Sequence, residues 1–120
     1  PESADPTVLR QVRKDVPRTV PDLALFRERR VQARLERVLY VWAHRNPAAG
    51  YVQGMNDVAA PFFIAFLKGA YRSNNHHVEE RYASTAFDGD VPGGDSILDD
   101  VEADVYWCLS RLLSGMQDHY

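Results

Sequence analysis

Residues 96–116 read SILDDVEADVYWCLSRLLSGM, and the spacing of their apolar side chains decides the fold. Leu98, Val101, Val105, Leu109, Leu112, Leu113 and Met116 recur every three or four positions, which lines one face of an α-helix. Ser96-Ile97-Leu98-Asp99 has the form of a capping box, and Asp99 and Asp100 suit the positive end of the helix dipole. The helix is expected to run to about Gly115.

The same period appears upstream. Asp5-Pro6 is a favourable helix opening, Val8, Leu9, Val12 and Val16 follow at helical spacing, and Pro17 is expected to stop the helix. A second capped segment begins at Asp22 and carries Leu23, Leu25 and Phe26. A long helix from about Glu28 to Arg45 puts Val31, Leu35, Val38, Leu39 and Trp42 on one face, and Asn46-Pro47 ends it. A further helix runs from about Val52 or Asn56 to Lys68, with Phe62, Phe63, Ile64, Phe66 and Leu67 around most of its circumference. Pro61 lies inside it and predicts a kink, or a start late enough to place Pro61 in the first turns. No convincing strand is present. The fold class is all-α, an irregular helical bundle.

Residues 69–95 break the pattern. Asn74-Asn75-His76-His77 and the Asp/Gly-rich stretch 88–95 read as one long polar, variable loop. His76, His77, Glu79 and Glu80 imply no fixed ligand geometry and read as solvated, and the Asp/Gly run lacks EF-hand spacing.

A chain of 120 residues with 45% hydrophobic and 26% charged side chains is one domain or part of one. The longest nearly unbroken apolar stretch, Val58 to Leu67, is about half of what a membrane span needs. No signal peptide is visible at the N-terminus. The single cysteine, Cys108, excludes an internal disulfide and suits a reducing, cytoplasmic setting; beside Trp107 and Leu109 it reads as a small buried hydrophobe. Residues 1–50 carry 10 basic and 6 acidic groups, whereas residues 51–120 carry 4 and 11. A basic first half suits an acidic or phosphate-bearing partner. Arg29, Arg30, Arg34 and Arg37 lie largely off the apolar face of the long helix, interspersed with Glu28 and Glu36. They read as a solvated face, not a nucleic-acid surface, because no stacking aromatics are interleaved with them.

Phosphate loops, GxGxxG, HExxH and Ser/His/Asp or Cys/His arrangements are absent, so the chain has no evident nucleotide or metal site of its own. Two stretches remain. Asp15-Val16-Pro17-Arg18-Thr19 holds an arginine beyond a helix end, between Pro17 and Pro21. Gly50-Tyr51-Val52-Gln53-Gly54-Met55-Asn56-Asp57 packs polar residues against the most apolar run. A bland reading of the second stretch makes Asn56 or Asp57 a helix cap. Together they suggest more. GTP hydrolysis by small GTPases needs a cation against charge developing on the transferred phosphoryl group, and an amide to orient the attacking water. Arg supplies the first and Gln the second.

The stretch Val12-x-x-Asp15-x-x-Arg18-Thr19 resembles the IxxDxxR motif of the TBC domain family, and Tyr51-x-Gln53-Gly54-Met55-Asn56-Asp57 resembles its YxQGMND motif. Leu35 to Pro47 and Glu102 to Leu113 add supporting similarity. The resemblance covers most of residues 9–67 and 101–120. Val12 and Val58 are mild departures, and the family's upstream Arg/Trp motif has no counterpart. The resemblance implies a GTPase-activating protein for a Rab-family GTPase in its GTP-bound state. It would not be an enzyme in the strict sense but would supply catalytic residues in trans: Arg18 as arginine finger and Gln53 as glutamine finger. Asp15 would fix the Arg18 loop alongside Thr19, Tyr51, Asn56 and Asp57 would brace the Gln53 turn, and Gly54 would permit close approach. No cofactor belongs to the chain, since GTP and Mg are the partner's. Residues 1–120 would form the N-terminal subdomain of such a domain, cytoplasmic and peripheral on endomembranes through the partner, in vesicle trafficking. The alternative is a helical module that binds a Rab or scaffold without accelerating hydrolysis.

Overall fold

A computed structural model describes residues 6–74 and 94–118. Four α-helices carry the fold: α1 (Pro6–Asp15), α2 (Arg29–Arg45), α3 (Met55–Asn74) and α4 (Gly94–Asp118). Two short 3-10 turns, Val16–Arg18 and Ala24–Arg27, link α1 to α2. No strand occurs among the described residues, as the spacing predicts.

The core forms where the apolar faces meet. Val31, Leu35, Val38, Leu39 and Trp42 of α2, Ala59, Ala60, Phe63 and Leu67 of α3, and Leu98, Val101, Val105 and Leu109 of α4 are all buried in one cluster. Leu25 and Phe26 close it from the second 3-10 turn, and Val12 and Val16 from the α1 side. Helix α3 packs most extensively on α4, while α2 contacts α1, α3 and α4 and so lies at the centre.

Three expectations are corrected. Helix α3 continues to Asn74 and α4 already starts at Gly94, so both ends of the anticipated 69–95 loop are helical. Residues 75–93, with the His76–Glu80 cluster, lie outside the described residues. Ser96 falls inside the first turn of α4 and is not its cap. Pro61 stands in the seventh position of α3, in its second turn as a start near Asn56 implies, and its missing N–H leaves the Asp57 carbonyl without the usual helical donor. Arg34 and Arg37 are not a merely solvated face. Arg34 bonds Asp99 and also Glu102 (3.0 Å), and Arg37 grips Glu102 with Nε at 2.6 Å and Nη2 at 2.7 Å. These bonds clasp α2 to α4 across the core edge. They raise both guanidinium pKa values: for Arg34 against the opposing effect of burial, and for Arg37 chiefly through the hydrogen bond to Glu102.

The apolar stripe of α4 also outruns the core. Leu109 is fully buried, yet Leu112 and Met116 are exposed, and Cys108 is only half-buried. Periodicity identifies a face; only neighbours determine how far along the helix that face is covered.

Candidate functional site

The 3-10 turn Val16–Arg18 begins where α1 ends. Pro17 fits this turn because its fixed φ suits helical backbone and its lost N–H is one that a helix start leaves unused. Thr19 leaves the turn extended, with its N–H bonded to the Val16 carbonyl at 3.1 Å. Val20 then takes φ +39°, an unfavourable region for a β-branched residue, and Leu23 N–H bonds its carbonyl at 3.0 Å. The chain thus reverses sharply just after Arg18, leaving that side chain exposed on the rim.

The second stretch is built differently. Gly50 at φ +67° and Gly54 at φ +103° bracket Tyr51, Val52 and Gln53, and both conformations favour glycine. Met55 closes the turn twice: its N–H bonds the Val52 carbonyl at 3.1 Å, and its Sδ accepts from Val52 N–H at 3.1 Å. Gln53 is exposed between them.

One buried polar network joins these loops. Asn56 Nδ2 donates to Thr19 Oγ1 at 2.9 Å and to the Asp15 carbonyl at 3.2 Å. Thr19 Oγ1 donates to the same carbonyl at 2.9 Å. The Asp15 carboxylate accepts from Tyr51 OH at 2.6 Å on one oxygen and from Gln11 Nε2 at 3.0 Å on the other. Asp15, Thr19 and Asn56 are the three buried polar residues of the described chain, with relative exposures of 3%, 0% and 5%. Buried polar groups are costly unless bonded, and these are bonded to one another.

The network also controls protonation. Burial, then the hydrogen bond to Asp15 and the negative charges of Asp15 and Asp57, push the Tyr51 phenol well above its ordinary pKa; a backbone contact with Asn56 opposes them. Tyr51 therefore stays a hydrogen-bond donor across the physiological range.

Asp15, Thr19, Tyr51 and Asn56 are thus drawn together as one unit. Arg18 and Gln53, each the covalent neighbour of a network residue or one residue removed, are displayed outside it. Asp57 is exposed in the first turn of α3, where its charge suits the helix dipole, with its Oδ1 3.5 Å from Asn56 Nδ2. The capping reading of Asn56 is corrected: its amide crosses to the Arg18 loop, and α3 begins on the Val52 and Gly54 carbonyls instead. Gln11 was not singled out by the motif, although its position four residues before Asp15 on α1 puts the pair on one helix face.

Beside Gln53 an apolar groove of about 530 Å³ opens between the glycine turn and the end of α4, lined by Trp42, Val52, Met55, Val58, Leu113 and Met116 among others. No group of three or more His, Cys, Asp or Glu side chains suited to a metal occurs among the described residues. No described helix is long and apolar enough to cross a membrane.

A family model described as the Rab-GTPase-TBC domain matches residues 2–120. The GTPase-activating protein gyp1 of Schizosaccharomyces pombe is 43% identical over 125 residues, an alignment covering 100% of this chain and 22% of that protein. TBC1 domain family member 22B of Homo sapiens is 45% identical over 111 residues, covering 92% of this chain and 20% of that protein. The solved Ypt/Rab-GAP domain of Gyp1p superposes with a TM-score of 0.78 at 38% identity, over 98% of this chain and 35% of that one. The chain spans about one fifth of the length of these curated relatives and about a third of the solved domain.

Proposed function

Because the chain belongs to the Rab-GTPase-TBC domain family, we propose that it supplies the catalytic part of a GTPase-activating domain acting on a GTP-bound Rab. Arg18 and Gln53 are its two contributions to the GTPase site. The observation that carries this reading is the shared anchorage of their loops: Asn56 bonds Asp15 and Thr19 on either side of Arg18, while Tyr51 bonds Asp15 from beside Gln53.

That anchorage matters energetically. A long side chain entering another protein's site loses rotamer freedom, and a loop ordered beforehand reduces what must be lost at that moment. The Arg18 guanidinium offsets charge on the phosphoryl oxygens as the leaving group departs, and the Gln53 amide accepts from and orients the attacking water. Asp15, Thr19, Tyr51 and Asn56 touch neither nucleotide nor water in this scheme; they position the two loops. Gly54 and Asp57 shape the turn and helix start behind Gln53. GTP and Mg remain the partner's, so the chain needs no cofactor.

Residues 1–120 act as the N-terminal subdomain of a longer Rab-GAP domain, in the cytoplasm and at membranes reached through the GTPase. The test is phosphate release from a panel of GTP-loaded Rab proteins with the complete domain. Acceleration of about 10³–10⁵-fold is the range for arginine-finger assistance. Binding without acceleration would make the chain a non-catalytic Rab-binding module.

A further inference from the structure

Gln11 belongs to neither motif, yet it reaches the residue that joins both loops. It lies half-buried on α1, one turn before Asp15, and its Nε2 donates to Asp15 Oδ1 at 3.0 Å. Asp15 is 3% exposed and forms no ion pair among the described residues, so its carboxylate depends on neutral donors. Those donors are Gln11 on Oδ1 and, at 2.6 Å, Tyr51 OH on Oδ2. Holding one oxygen fixes the plane of the carboxylate, and with it the direction in which the other oxygen meets Tyr51.

The two loops depend on Asp15 in different ways. The Arg18 turn is held through the Asp15 backbone carbonyl, which accepts from Thr19 Oγ1 and Asn56 Nδ2 whatever the orientation of the carboxylate. The Gln53 turn is held through the carboxylate itself. The bonds of Val52 and Gly54 stay within that turn and the first residues of α3, so it is the Tyr51–Asp15 bond that ties the turn to α1.

We propose that Gln11 is a positioning residue for Gln53: by holding the Asp15 carboxylate toward Tyr51 it sets the place of the glutamine two residues further on, and it leaves Arg18 unaffected. The proposal rests on the activator reading of Arg18 and Gln53. In that reading the Gln53 amide orients the attacking water, and a displacement of about 1 Å in such a group costs about 10²-fold in rate. Gln11 touches neither water nor nucleotide, so it acts on the chemical step through that placement alone.

The test is single-turnover phosphate release from a GTP-loaded Rab, stimulated by increasing amounts of the complete domain, so that maximal rate and half-saturation are read separately. Gln11→Met keeps the length of the side chain and removes the donor, whereas Gln11→Lys returns a donor to Asp15. Each is assayed well below its thermal midpoint, and Gln11→Ala, a strong helix former, replaces Gln11→Met if that variant does not fold. The expected result is a maximal rate about tenfold lower in Gln11→Met, with half-saturation unchanged and most of the loss recovered in Gln11→Lys. Gln11→Met should have little further effect on a Gln53→Ala domain, but should slow an Arg18→Lys domain by the same factor as the parent. A merely structural role would lower the thermal midpoint and act equally in both backgrounds. An unchanged maximal rate in Gln11→Met, an equal loss in Gln11→Lys, or an undiminished effect on the Gln53→Ala domain would each overturn the proposal. If the unmodified domain stimulates no Rab, or Gln53→Ala alone changes nothing, the activator reading itself fails and the proposal with it. Those results are distinguishable because they occur with Gln11 intact.

Discussion

Asn56 and Thr19, 37 residues apart, share a buried hydrogen bond of 2.9 Å, and that bond fastens the start of α3 to the loop that displays Arg18. The same Asn56 amide reaches the Asp15 carbonyl at 3.2 Å, so one side chain supports both ends of the Val16–Arg18 turn. Asn56→Ala leaves those groups short of a partner and should destabilise the fold by about 1–3 kcal/mol in urea titration. Asn56→Asp should cost more, since it sets a carboxylate against the Asp15 carbonyl. Activity should fall in both at temperatures where the fold persists, because the Arg18 loop loses its tether.

Tyr51 provides a pH signature. Its folded-state pKa lies above the ordinary 10.0, so the folded protein holds the phenolic proton more tightly than the unfolded chain does. The associated stability is fully present below pH about 10 and is lost as pH rises beyond it. Thermal midpoints measured from neutral into alkaline solution should therefore decline more steeply in the parent than in Tyr51→Phe. Parallel declines would show that the Tyr51–Asp15 bond contributes nothing to this dependence.

Gly54→Ala isolates backbone conformation from packing. A Cβ built at Gly54 meets nothing within 4 Å, so the substitution brings no clash. Its φ of +103° nevertheless disfavours any L side chain, at a cost of about 1–3 kcal/mol. The chain can relieve that strain only by moving the turn that carries Gln53. A calorimetric loss of stability should accompany reduced GTPase activation, and an unchanged thermal midpoint would contradict the strained-turn account.

Glu102 is the hub of the α2–α4 clasp, accepting from both Arg34 and Arg37. Its side chain is 19% exposed and that of Arg34 is 12% exposed, so these bonds are only partly screened by solvent. Glu102→Ala should cost about 1.5–3 kcal/mol, the range for hydrogen bonds to charged groups. A double-mutant cycle with Arg34→Ala should show coupling that weakens only modestly in high salt, whereas an exposed pair would lose most of it.

The helical fold was legible because apolar spacing depends on local geometry: the buried faces of α2 and α4 are those that Val31–Trp42 and Leu98–Leu109 predict. What escaped the sequence was set by distant neighbours. Arg34 looks like surface until α4 brings Asp99 and Glu102 against it, and Asn56 looks like a cap until the Arg18 loop arrives from 37 residues away. Leu112 and Met116 continue a core stripe whose cover stops sooner than the pattern does. Two motifs single out the candidate site residues. That four of them form one buried network, with Arg18 and Gln53 left outside, required the fold.

The central claim is that two exposed side chains on one anchored scaffold complete a GTPase site. Single-turnover phosphate release from GTP-loaded Rab proteins, comparing the complete domain with its Arg18→Ala and Gln53→Ala variants, addresses it most directly. Each substitution should remove most of the roughly 10³–10⁵-fold acceleration while leaving the thermal midpoint unchanged, since both side chains are exposed. Full acceleration surviving either substitution in a folded domain would contradict the account.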